Sequence, residues 1–64
     1  MAGWFWPDSW CVPSMQKQVM DMLRALPITV DDKKQSLMDW CYCAGVSITA
    51  LMVEYVTGLP AGEV

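Results

Sequence analysis

Between Thr29 and Thr57 apolar residues recur at every third or fourth position. Leu37, Cys41, Ala44, Ile48, Leu51 and Tyr55 form a stripe at spacings of 4, 3, 4, 3 and 4, and the row of Ser36, Asp39, Cys43, Ser47, Ala50, Glu54 and Thr57 is small or polar. That period is helical rather than alternating, and it predicts one amphipathic helix over about 29–57. Met38, Trp40, Val46, Met52, Val53 and Val56 widen the apolar side until a narrow polar ribbon remains, which faces water in a soluble helix and protein in a membrane span. Such a helix has to be covered by the rest of its chain, a second copy, a partner or lipid. Thr29 is its N-cap, with Asp32 three residues on at capping-box spacing, and Asp31 and Asp32 suit the positive end of the helix dipole. The acidic pair therefore needs no metal to explain it. Gly58 and Pro60 supply the stop, which leaves 58–64 as a frayed tail. Gly45 falls mid-helix in this reading, at a cost of about 1 kcal/mol relative to Ala, and with Ala44 it makes a small patch suited to close packing.

A shorter pattern precedes it. Met15, Val19, Met22 and Leu26, flanked by Met20 and Leu23, form one apolar face, while Gln16, Lys17, Asp21 and Arg24 lie on the wet side. This predicts a helix over about 14–26, opened by Ser14 as N-cap and ended by Pro27, with a Lys17–Asp21 pair one turn apart. Its methionines serve as filler for an irregular core, or alternatively as an adaptable binding groove. Residues 1–13 hold Trp4, Phe5, Trp6 and Trp10 among Gly3, Pro7 and Pro13, which excludes a regular helix through most of the stretch. The expected form is a non-regular Trp-rich arm with a turn at Pro7-Asp8-Ser9, docked as a lid over the helices, as a partner-binding hot spot, or at a membrane interface. The fold class is all-α: a small helical hairpin with this arm, in a single domain spanning 1–64.

Composition sharpens the question of what covers the helices. Of 64 residues 55% are hydrophobic, including four Trp and six Met, and 17% are charged; globular chains average about 25% charged. A domain this small buries only roughly 60% of its unfolded surface, so part of the apolar material is expected at an interface. The predicted interface residues are Trp4, Phe5, Trp6, Trp10, Met20, Leu23, Trp40, Ile48, Met52 and Tyr55. The net charge is −3, and the four bases, Lys17, Arg24, Lys33 and Lys34, form no stripe, which argues against nucleic acid as a partner.

Catalytic chemistry finds few residues to use. The chain has no histidine, so Ser-His and Cys-His pairs are absent, as is the commonest metal ligand. Asp39 and Glu54 would lie about 22 Å apart along one helix, too far for a carboxylate pair, and the four glycines, Gly3, Gly45, Gly58 and Gly62, make no phosphate loop. Neither an enzyme nor a resident cofactor or metal is expected. Cys11, Cys41 and Cys43 are odd in number, with no secretory signal ahead of them, which argues against a disulfide framework. Cys41 and Cys43 diverge by about 200° on a helix and suit no shared metal. They are expected as small buried hydrophobes in a reducing, cytoplasmic setting.

Two functional expectations follow. The first is a small acidic protein that acts by occupancy: an inhibitor, adaptor or assembly factor, a size class common among phage and mobile elements, binding a protein partner or its own copy in a homo-oligomer. The second is a single-span membrane accessory subunit with 37–56 as the span, flanked by Lys33-Lys34 and by the aromatic residues Trp40, Tyr42 and Tyr55. Asp39 and Glu54 leave 14 uncharged residues between them, from Trp40 to Val53, which fits a buried helix better. The segment from Gly45 to Val56, GVSITALMVEYV, resembles the helix of the tiny accessory subunits of cytochrome bd oxidases over about a dozen residues, with a one-residue gap. The resemblance implies the second expectation and carries no residue roles.

Overall fold

The computed structural model describes residues 6–60. Trp4, Phe5 and the last four residues of the expected frayed tail lie outside that range. The fold is all-α, and among the described residues its α-helices are three rather than two. Two single-turn 3-10 helices, Asp8–Trp10 and Pro13–Met15, lead into α1 (Gln16–Ala25), followed by α2 (Val30–Ala44) and α3 (Ala50–Thr57).

The first 3-10 turn falls where Pro7-Asp8-Ser9 predicts one: the Trp10 N–H donates to the Pro7 carbonyl at 2.8 Å, and the Cys11 N–H to that of Asp8 at 3.0 Å. The second turn winds directly into α1, with the Met15 N–H on the Val12 carbonyl at 3.0 Å. Ser14 therefore sits inside a turn and does not cap α1; Met15 holds the N-cap position and brings no side-chain acceptor. The far end of α1 agrees with the sequence. Leu26 leaves the helix at φ −70°, ψ 137°, the extended conformation that a following proline imposes. Lys33 reaches back from α2 to donate to the Arg24 carbonyl at 2.9 Å, putting a cation at the negative end of α1.

Thr29 caps α2 as expected, its Oγ1 accepting from the Asp32 N–H at 3.1 Å. The single helix expected over 29–57 is broken at Gly45. There the backbone turns left-handed, at φ 71°, ψ 30°, and the N–H groups of Gly45 and Val46 both satisfy the Cys41 carbonyl. This is the Schellman way of ending a helix, which glycine adopts without a side-chain clash. Gly45 is thus a terminator, not a mid-helix defect. Residues 46–49 run without helix, and Thr49 then caps α3 by accepting from the Met52 N–H at 3.3 Å. Gly58 closes α3 at φ 74°, with its N–H on the Glu54 carbonyl at 2.8 Å.

The break lets α3 fold back, so that each helix packs against the other two. The core comprises Val19 and Leu23 from α1, Leu37, Trp40 and Cys41 from α2, and Met52 and Val56 from α3. The helical phase does not carry across Gly45. Leu37 and Cys41 point inward as the stripe predicts, but Ile48, Leu51 and Tyr55 are exposed, and Met52 and Val56 take the core positions. Ser36, assigned to the wet ribbon, is fully buried.

Two further expectations change. Cys11 and Cys43, 32 positions apart in sequence, are joined in a disulfide with Cα atoms 5.3 Å apart, while Cys41 alone is a buried free thiol. Cysteine parity hid the bond, since a third cysteine in the core makes the total odd. Closing a loop of this length stabilises a fold by about 3–4 kcal/mol in the chain-entropy account, a large share for a domain of this size. The span expected over 37–56 is interrupted at Gly45, and of the Gly45–Val56 segment likened to a single helix only Ala50 onward is helical. Among the described residues no helix is long and apolar enough to cross a membrane.

Candidate functional site

Three surface features hold what chemistry the fold presents. The first is the N-terminal strap, residues 6–15, laid over α2. Trp6 donates its indole N–H to the Ser36 carbonyl at 3.1 Å, and Trp40 donates its own to the Trp10 carbonyl at 2.6 Å. Trp6 and Trp10 stack on each other, with ring centroids 6.0 Å apart and planes inclined by 29°, an offset arrangement that aromatic pairs favour. Ser36, Trp40 and Cys43 lie at i, i+4 and i+7 on α2, so one face of that helix meets Trp6, Trp10 and Cys11 in turn. Beneath the strap the Ser36 hydroxyl is buried without a hydrogen-bond partner among the described residues.

The second comprises large apolar side chains that face solvent at two places, the outer side of α2 and the start of α3. Tyr42 is 91% exposed and Met38, one turn before it on the outer side of α2, is 50% exposed. Leu51, at the start of α3, is 76% exposed, and Ile48 in the connection before it is 42% exposed. Beside Met38 and Tyr42 the same outer side of α2 carries Gln35 hydrogen-bonded to Asp39 at 3.1 Å.

Between α1 and α3 lies a charged cluster. Lys17 pairs with Asp21 at 2.8 Å, one turn apart. The Tyr55 hydroxyl also donates to the Asp21 carboxylate, and the Arg24 guanidinium lies over the Tyr55 ring, 4.8 Å from its centroid. The hydrogen bond from Lys17, then that from Tyr55, lowers the Asp21 pKa below the ordinary carboxylate value, and the same Asp21 contact raises that of Lys17. At Cys41 burial raises the thiol pKa, which suits a packing role over a nucleophilic one.

No family model, curated protein or solved structure matches this chain. Function has to be read from the geometry alone.

The predicted interface residues separate into groups. Leu23, Trp40 and Met52 are buried in the chain's own core. Trp6, Trp10 and Met20 are partly buried and packed against it. Ile48 and Tyr55 are exposed, although Tyr55 is tied to α1 through Asp21 and Arg24. Trp4 and Phe5 lie outside the described residues. Tyr42, Leu51 and Met38, the most exposed of the large apolar side chains, are absent from the predicted set. Apolar spacing places Leu51 and Met38 on the apolar side of one long helix and reads Tyr42 only as a flanking aromatic, and the break at Gly45 re-phases α3 so that Leu51 turns outward. Among the described residues no three His, Cys, Asp or Glu side chains gather to hold a metal ion.

Proposed function

We propose that this chain works by occupancy, binding another protein through the outer apolar side chains of α2 and α3. One observation carries the reading: Tyr42 and Leu51 are 91% and 76% exposed in a domain that buries other large side chains completely. Large apolar groups held out by rigid helices give up little conformational freedom on binding, and aromatic residues are enriched where binding energy concentrates. Inhibition, bridging and assembly all need no more than such exposed anchors. The Cys11–Cys43 bridge supports an oxidising setting for this activity, because disulfides persist there and are rare where thiols are kept reduced.

The test pairs the wild-type chain with a Tyr42→Glu/Leu51→Glu variant. Both side chains are exposed, so the variant should keep the far-ultraviolet circular dichroism and melting temperature of the wild type. A protein retained by immobilised wild type, lost on the variant and rebound when purified would support the reading. Mass measurement by light scattering separates a foreign partner from a second copy. Equal retention by both chains, or monomers that retain nothing, would refute it.

A further inference from the structure

The strap supplies no fully buried side chain: every residue from Trp6 to Met15 is exposed or half-buried. The seven core side chains all come from α1, α2 and α3. Two indole hydrogen bonds, Trp6 to Ser36 and Trp40 to Trp10, and the partial burial of Trp6, Trp10 and Met15 hold the strap reversibly. The Cys11–Cys43 bond is the covalent tie, and it pins the strap's midpoint to the last turn of α2. Its Cys43 end is exposed and its Cys11 end half-buried, so a small thiol can reach it.

We propose that Cys11–Cys43 is a redox latch on the strap. Intact, it prevents residues 6–15 from opening locally; reduced, it lets them leave α2 while the three helices stay folded. Opening uncovers Trp40, which is completely buried beneath the strap, and carries Trp6 and Trp10 into solvent. The chain then presents three indoles, Trp6, Trp10 and Trp40, that the oxidised form keeps wholly or partly buried.

The chemistry is thiol–disulfide exchange with a dithiol reductant. Its thiolate attacks the Sγ of Cys43, the more exposed of the two residues, the S–S bond breaks, and Cys11 leaves as a thiolate that takes a proton from water. The reductant's second thiol then displaces Cys43 from the mixed disulfide. Two electrons pass to the protein's sulfurs, and the reductant ends as a cyclic disulfide. Cys41 stays out of the exchange: it is buried, its thiol pKa is raised, and its side chain diverges from that of Cys43 along the helix. This inference does not depend on the partner-binding reading.

Hydrogen exchange followed by NMR on the full chain tests it, oxidised and in excess dithiothreitol, with a Cys41→Ala variant run alongside to exclude disulfide shuffling. Reduction should speed exchange of the Trp6 and Trp40 indole N–H groups by roughly tenfold or more, while the backbone amides of Val19, Leu23 and Val56 keep their protection. Loss of amide protection in step with the indoles, or failure of the reduced chain to fold, would make the bond a staple for the whole domain and overturn the latch. Unchanged indole protection would overturn it equally, because the strap would then need no covalent tie. A Cys11→Ser/Cys43→Ser variant should match the reduced wild type and separate the same three outcomes without reductant.

Discussion

The three helices and the strap are held by different kinds of interaction. The helices hold one another by apolar burial, through seven interdigitated side chains drawn from all three. The strap adds directed ties to the partial burial of Trp6, Trp10 and Met15: two indole N–H groups aimed at backbone carbonyls and one disulfide, beside one stacked tryptophan pair. Apolar burial is shared among many contacts and fails cooperatively, whereas directed bonds can be removed one at a time. A domain of this size has roughly 3–10 kcal/mol of total stability. Either kind of interaction is therefore large enough to matter, and substitutions can tell them apart.

The largest effect should come from Leu37→Ala. Leu37 is completely buried among the three helices, and truncations of this kind cost about 2–5 kcal/mol through lost transfer energy and the cavity left behind. The helices and the strap should unfold together, with far- and near-ultraviolet circular dichroism melting at one lowered temperature. Separate transitions would show that the strap is not seated on the helical core.

Gly45→Ala should rank next, at about 1–2 kcal/mol. A Cβ at this position would meet nothing within 4 Å, so the cost is backbone strain at φ +71° alone. Chemical denaturation would measure it. A change near zero would mean that the left-handed break is not what ends α2. Trp6→Phe should cost less, about 0.5–1.5 kcal/mol for the hydrogen bond to Ser36. In hydrogen exchange the loss should appear at the strap and leave α1 and α3 unaffected; a uniform loss would erase the distinction between the two regions.

Much of the helical part was legible because its signals are local. Thr29 with Asp32, Pro27 after Leu26, and Gly58 after Thr57 each act within one turn of chain, and each boundary falls where those residues place it. The break at Gly45 was missed because apolar spacing ran through it without a phase error. A stripe that continues at 3.6-residue spacing looks the same whether the chain is one helix or two. The left-handed glycine followed by Thr49 as a second cap was the available signal. The strap was legible only as composition. That Trp6 finds Ser36, Trp10 finds Trp40 and Cys11 finds Cys43 depends on pairs 30–32 residues apart, and no local pattern encodes such pairings.

The smallest effect should come from the surface cluster that joins α1 to α3, where pH can probe the attachment. The Asp21 pKa is lowered in the folded chain, by the hydrogen bond from Lys17 first and then by that from Tyr55. A carboxylate with a depressed folded pKa adds stability that is fully present above its unfolded value and is lost as pH falls through the folded one. Lys17, raised by the same contact, contributes below its unfolded value and loses that contribution only in strong alkali. Both groups lie at the surface, where solvent and salt weaken such pairs. Wild type should therefore lose slightly more thermal stability than Asp21→Asn as pH drops from about 6 to below the ordinary carboxylate pKa of roughly 4, and added salt should narrow the gap. Parallel acid limbs for the two chains would show that apolar burial alone seats α3 on α1, with the Lys17–Asp21–Tyr55 contacts adding nothing to the strength of that packing.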